Sequence, residues 1–307
     1  MRFHVIFAKT LHDLLSLKRT AALVVIGVLF TGIMSAVWSQ GMSRPMSLQM
    51  QTHYLVDNFT LLAFMWIAGL FLAISVAATA AGFISKEDTE GTLLIMVSKP
   101  ISRVDFVMGK FLALVANAML IQTIVLLLSV VILWIVLPID PQTFDAVFSL
   151  VPWMLLYSLL VTLAFGSIAV ALSALMKSRV KITMVAMLLI MVVFLVGIVP
   201  RTTFSGAYES FYLYYLDGGY HLGNTFTMLL DQAAAGQMMP QNQPFMTVFA
   251  GTYKGMQESF DPDIGALPPS LELTNYVSPV MSTAIWLTIS AVAMGLAVWA
   301  VQRKEVH

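Results

Sequence analysis

Six long apolar runs limit what this chain can fold into. They lie at approximately 20–38, 59–84, 111–137, 151–175, 182–199 and 282–301, and each is close to the roughly 20 residues a helix needs to cross about 30 Å of hydrocarbon. None shows the apolar/polar alternation of a porin strand, so helices rather than a barrel are expected. Charge supports the same reading. Only 10% of the 307 residues are charged, against about 25% in soluble domains, too few to cover a water-soluble globule of this size. The expected fold is an all-α integral membrane protein with six transmembrane helices. The fourth and fifth are separated only by Lys177, Ser178, Arg179, Val180 and Lys181, whose three cations call for a turn in water.

Lys and Arg placement orients the chain. With the N-terminus inside, the outer segments keep only Arg44, Arg201 and Lys254 of the 16 cations, which places both termini in the cytoplasm of a multi-pass plasma membrane protein. The first 19 residues are too long and too amphipathic for the charged start of a signal peptide, although Ser35, Ala36 and Val37 loosely fit a cleavage site. Phe3, Phe7, Leu11, Leu14 and Leu15 recur at helical spacing among Arg2, Lys9, Asp13 and Lys18, as in a helix lying in the membrane interface. Residues 200–281 form one long outer connection. Phe204, Tyr208, Phe211, Tyr212 and Tyr215 are spaced as one helical face. That spacing suits a headgroup-level helix or a re-entrant pair, while the prolines that follow suit a cap of loops.

Several function classes are excluded or disfavoured. The 16 cations are balanced by 16 acids, so the strongly basic surface of a nucleic-acid binder is missing. The absence of Cys removes disulfides, thiolate zinc sites and Cys nucleophiles. The five His residues show no metal-ligand spacing, and no phosphate-binding loop is present, so no cofactor is expected on this chain. No Asp, Glu, Lys, Arg or His falls inside the six apolar runs, which argues against an ion-coupled transporter or proton pump. Asn117 and Gln122 are the strongest polar groups there and are expected to bond between helices. Met42, Met46 and Met50, with His53 behind them, have the ligand types of a Cu(I) site. The competing reading is that they fill gaps in helix packing, as Met commonly does.

The segment 85–110 carries the most information. Ser85 with Asp88, and Ser102 with Asp105, fit the helix-start pattern, while Pro100 stops a helix. A short helix, a turn at Lys99 and Pro100, and a new helix into the third span are expected. The run Leu93, Leu94, Ile95, Met96 and Val97 needs cover on the cytoplasmic side. Either the protein's own spans and the lipid interface supply it, or a helix here docks into a groove on a partner. Glu90-Gly91-Thr92-Leu93, Ser98-Lys99-Pro100-Ile101-Ser102-Arg103 and Gly109-Lys110 resemble, in order and spacing, the G-T-L, S-(R/K)-P-(I/V)-S-R and G-K elements of ABC-2 type permeases, the membrane subunits of ABC transporters.

That resemblance covers the whole chain in architecture, residues 1–307 as a single transmembrane domain, and residues 87–110 in motif. It implies an interfacial helix at 1–19, a cytoplasmic coupling loop at 85–110 and an outer cap at 200–281. It further implies an exporter built from two permease subunits, identical or different, with separate ATPase subunits that hold the ATP and Mg²⁺. Glu87, Glu90, Gly91, Thr92, Leu93, Leu94, Pro100 and Arg103 would then make or shape the ATPase-facing surface. Lys99 stands where many relatives have Arg. The alternative function is an ATP-independent scaffold, assembly factor or passive pore.

Overall fold

The computed structural model describes residues 3–42, 47–90, 102–233, 242–254, 260–261, 265–266 and 272–303. Among them, six helices are long and apolar enough to cross a membrane. Helix α1 (Phe3–Leu14) breaks at Leu15 and Ser16 before α2 (Leu17–Gly41), the first span. The second span combines α3 (Leu48–Leu62), a π-helical stretch (Ala63–Leu70) and α4 (Phe71–Ala80). A turn at 81–84 leads to α5 (Ser85–Thr89). The third span is α6 (Arg103–Val136). The short α7 (Pro141–Phe148) and long α8 (Val151–Leu175) form the fourth. The fifth is α9 (Arg179–Met191), which continues through a second π-helical stretch (Val192–Val196) into α10 (Ile198–Thr202).

The long connection is more helical than a cap of loops. It contains α11 (Ser205–Ser210), a 3₁₀ turn (Leu213–Tyr215), α12 (Gly218–Gln232) and α13 (Gln243–Ala250). Two minimal antiparallel pairings follow, β1 (Tyr253–Lys254) with β4 (Glu272–Leu273) and β2 (Phe260–Asp261) with β3 (Gly265–Ala266). The last span is α14 (Pro279–Arg303). The aromatic residues near 204–215 do not share one helical face, because α11 ends at Ser210 and Tyr212 takes a left-handed backbone, φ 55°. Tyr208 turns inward, whereas Phe204, Phe211, Tyr212 and Tyr215 stay exposed.

Helix α8 is the hub, packed against α4, α6, α9 and α14. Its small residues Ala164, Gly166, Ser167, Ala169 and Ala174 are buried, and such residues let helices approach closely where lipid supplies no hydrophobic drive. Tyr157 of α8 lies 4.8 Å from Phe226 of α12, and Phe226 lies 4.9 Å from Phe64 of the second span. This aromatic cluster seats the cap on the bundle. In the first π-helical stretch the Phe64 carbonyl oxygen lies 2.0 Å from where a Cβ on Gly69 would stand, so the wide turn there requires glycine.

The spanning helices are longer than their apolar runs. The second starts at Leu48 and takes in His53 and Asp57. Asp57 is buried and accepts a hydrogen bond from Asn242 at 3.3 Å. At about 1.5 Å per residue the 34 residues of α6 reach roughly 51 Å, so the helix overshoots the hydrocarbon and carries Lys110 in its first turns. The apolar runs are free of Asp, Glu, Lys, Arg and His, but the helices that carry them are not. Between α2 and α6, Thr31 and Ser129 share the hydrogen bond, at 2.9 Å. Asn117 Oδ1 and both polar atoms of Gln122 are buried without a hydrogen-bond partner among the described residues. The expected interhelical bonds of Asn117 and Gln122 are therefore not made at those atoms within one chain.

Candidate functional site

The motif-bearing segment begins and ends in clamps. At its start, the backbone leaves α4 at 81–84, where helical hydrogen bonds lapse and N–H groups need other partners. Ser173 of α8 supplies them. Its hydroxyl oxygen accepts from the N–H groups of Ile84 at 3.0 Å and Ser85 at 3.1 Å, and it donates to the Ala81 carbonyl at 3.1 Å. Ser85 does not take the N-cap position that its spacing with Asp88 predicts. Ile84 stands there, Ser85 is the first residue of α5, and its Oγ donates back to the Ala81 carbonyl at 2.9 Å.

One turn on, Glu87 meets Lys110 of α6 in a short, mostly buried ion pair. Lys110 Nζ also donates to the Phe83 carbonyl at 2.6 Å and stands 4.9 Å from the centre of the Phe106 ring. A buried ammonium needs such company because burial without partners is costly. Lys110 thus fixes α5 against the third span. Glu90 is more exposed and reaches Lys86 at 3.7 Å, a surface contact of little energetic weight.

The far end of the segment is held differently. Ser102 stands at the N-cap of α6 with Asp105 in the first turn, as its spacing predicts, though its side chain makes no capping bond. Arg103 Nη1 donates to the carbonyls of Val301 at 2.6 Å and Gln302 at 2.5 Å. These are last-turn carbonyls of α14, where a cation also complements the helix dipole. Arg103 therefore ties the start of the third span to the end of the sixth. Gly91, Thr92, Leu93, Leu94, Lys99 and Pro100 lie outside the described residues.

Helix α1 completes the site. A Cβ on Gly109 would meet the Ile6 side chain at 3.1 and 3.2 Å, tighter than ordinary contact, so α1 lies directly on α6 at this glycine and any larger side chain would push it away. Adjacent residues of one G-K pair thereby position both neighbouring elements, Gly109 admitting α1 and Lys110 holding α5. Between α1, α5 and α6 opens a cleft of about 660 Å³, lined by Lys9, Asp13, Lys86, Glu87, Glu90 and Lys110 among others. No group of three or more metal-ligating His, Cys, Asp or Glu residues occurs among the described residues. Met42 is partly buried against the core, Met50 is exposed on α3, and Met46 lies outside the described residues.

The cap has its own polar centre, which patterning did not single out. Asp217 accepts from Arg201 Nε at 2.6 Å and Nη2 at 2.5 Å, from the Tyr208 hydroxyl at 2.8 Å, and from the N–H groups of Gly219 and Tyr220 at 3.0 and 3.1 Å. It is the N-cap of α12. Burial pushes its carboxyl up, but the Arg201 hydrogen bonds and charge outweigh that and hold it below the usual range. The same arginine donates to the Phe249 carbonyl at 2.7 Å, at the end of α13. The legible signals are the Asp217-Gly218-Gly219 helix start and an isolated Arg in a cation-poor segment.

The geometry is that of a membrane bundle whose charged, motif-bearing end is braced against three spans. A search of curated proteins gives no match. The family model for ABC-2 family transporter proteins matches residues 4–306. With nearly the whole chain matched, from the helix that lies on α6 to the end of the last span, the protein belongs to the ABC-2 family transporter proteins.

Proposed function

We propose that this chain is the permease subunit of an ATP-driven ABC exporter in the plasma membrane, with both termini and the 85–110 segment in the cytoplasm. It works beside a second permease subunit and separate ATPase subunits, which supply the ATP chemistry. The chain itself contributes no catalytic residue. The observation that carries the reading is the double clamp around the motif. Glu87 is bound to Lys110 and Arg103 to the end of α14, so both ends of the segment are fixed to spans, the first to the third span and the second to the sixth, and force on the segment has a route into the bundle.

Closure of the ATPase pair would press on Glu90, Gly91, Thr92, Leu93, Leu94 and Pro100, with Glu87 and Arg103 as the two fixed ends. Rocking of the two permeases then follows, because only a partner that contacts the two states differently can shift their balance. The sparsely buried first and fifth spans, which expose Leu29, Ile33, Leu188 and Val196, suit a lipid-facing or permease-facing surface. Co-purification of the full chain with its ATPase tests the reading. Leu93→Ala with Leu94→Ala should weaken association and abolish transport-coupled ATP hydrolysis while leaving the protein in the membrane. Unchanged association and coupling would overturn it and favour the ATP-independent scaffold.

A further inference from the structure

On the flank of the bundle, between α2, the second span and the start of α9, lies an apolar groove of about 430 Å³. Leu23, Ile26, Trp66, Phe71 and Ile74 form its walls, and Arg19 and Arg179 stand in it at the end nearest α1. From Thr79 to Trp66, both lining residues, is about 20 Å of helix at 1.5 Å per residue. That covers the hydrocarbon of one leaflet, about 15 Å. The groove is as long as a lipid chain is deep.

Its charge is one-sided. No Asp or Glu lines it, and neither arginine forms an ion pair among the described residues. Arg19 donates to the Thr79 hydroxyl and Arg179 lies over Gly82, with its Cδ and Nε 3.5 Å from where a Cβ would stand. Both arginines also line the neighbouring cleft, where Glu87 is paired with Lys110 and the other carboxylates, Asp13 and Glu90, lie on exposed side chains beyond ion-pairing distance of either arginine. Two guanidiniums at the mouth of an apolar slot one leaflet long, neither paired with a carboxylate among the described residues, suit an anion attached to hydrocarbon.

We propose that this groove holds one anionic phospholipid from the leaflet on the α1 side, its phosphate between Arg19 and Arg179 and one acyl chain along the second span. A zwitterionic lipid fits the slot equally well but brings an ammonium group toward two arginines, so the headgroup decides preference and the walls decide capacity. The site is independent of the coupling role assigned to segment 85–110.

The test is lipid retention by the full chain, purified in a non-ionic detergent, titrated with phosphatidylglycerol or phosphatidylcholine and read by native mass spectrometry. Phosphatidylglycerol should be retained about tenfold more tightly, the scale expected for charge-assisted phosphate contacts. Arg19→Gln with Arg179→Gln should erase the preference. Because Arg179 is exposed, Arg179→Gln alone serves if the double variant does not fold. Ile74→Trp, which fills the slot, should lower retention of both lipids. Inorganic phosphate at millimolar concentration should not displace the lipid, which separates a lipid site from a free-phosphate site. Equal retention of the two lipids, or a preference that survives loss of the arginines, overturns the proposal. So does spontaneous disulfide formation between two copies carrying Ile26→Cys in this otherwise Cys-free chain, since the groove would then be a seam between copies.

Discussion

Lys110→Met offers the sharpest test of how α5 is held. The substitution keeps a long apolar side chain beside Phe106 and removes the hydrogen bond to the Phe83 carbonyl, the Glu87 ion pair and the contact with the aromatic face. A hydrogen bond to a charged group is worth about 1.5–3 kcal/mol net, and burial of the ammonium works against it. Glu87 keeps 26% of its side chain exposed, so water partly replaces Lys110, and the lower end applies. A coupling energy of about 1–2 kcal/mol between Lys110 and Glu87 follows, roughly a tenfold change in the opening of α5. Three amides report it, those of Lys86, Asp88 and Glu90, bonded to the carbonyls of Gly82, Ile84 and Lys86. Hydrogen exchange at these amides should rise about tenfold in Lys110→Met and in Glu87→Gln, and little further in the double variant. Unchanged exchange in Lys110→Met, or single effects that simply add, would refute the clamp.

The other tests address neighbouring parts of the structure. Gly109→Leu should displace α1 from α6, at a cost of about 1–3 kcal/mol for overpacking, seen as increased proteolysis within 3–14. Gly109→Ala should be nearly neutral, because the few tenths of an ångström by which the Ile6 side chain must give is offset by the helix gain of about 0.5–1 kcal/mol. Asp217→Ala strands a buried Arg201 and should cost the cap about 3–5 kcal/mol, measurable as faster exchange across α12. Because the folded carboxyl of Asp217 is held low, its stabilisation is complete above about pH 4. It should fade only as the pH falls further through the folded value, so a cap that loosens already at pH 6 would contradict the assignment. Changing Met42, Met46 and Met50 together to Leu should leave copper sensitivity as it was. A loss of copper binding would instead establish the metal site.

Local pattern made some of the site legible and hid the rest. The Gly109-Lys110 pair was visible as a motif, but nothing in its spacing says that the glycine admits Ile6 or that the lysine holds Glu87. Arg103 was assigned to a partner-facing surface by resemblance, and its guanidinium also binds carbonyls of residues 301 and 302. Ser173 was not singled out at all. It is one of several serines on an apolar helix, and its importance depends on where the backbone 89 residues earlier loses its helical partners. The break in the aromatic face at Tyr212 is invisible to helical spacing, which reflects only periodicity and not whether the backbone stays helical.

Hydropathy and charge by themselves determined that this chain crosses a membrane, how many times it does so, and which end carries the cations. Those properties rest on each residue's own transfer energy and on the distance a helix rises per residue, both of which are local. Only the tertiary structure decided which helix is the hub, that two clamps brace the motif-bearing segment, and that Arg201 and Asp217 organise the cap. It also decided that Arg19 and Arg179, 160 positions apart in the sequence, share one groove. The reason is that lipid-facing and helix-facing residues are equally apolar, so composition cannot tell which faces meet. That is settled by small residues, close approaches such as Gly109 against Ile6, and the few polar groups that must find partners once water is gone.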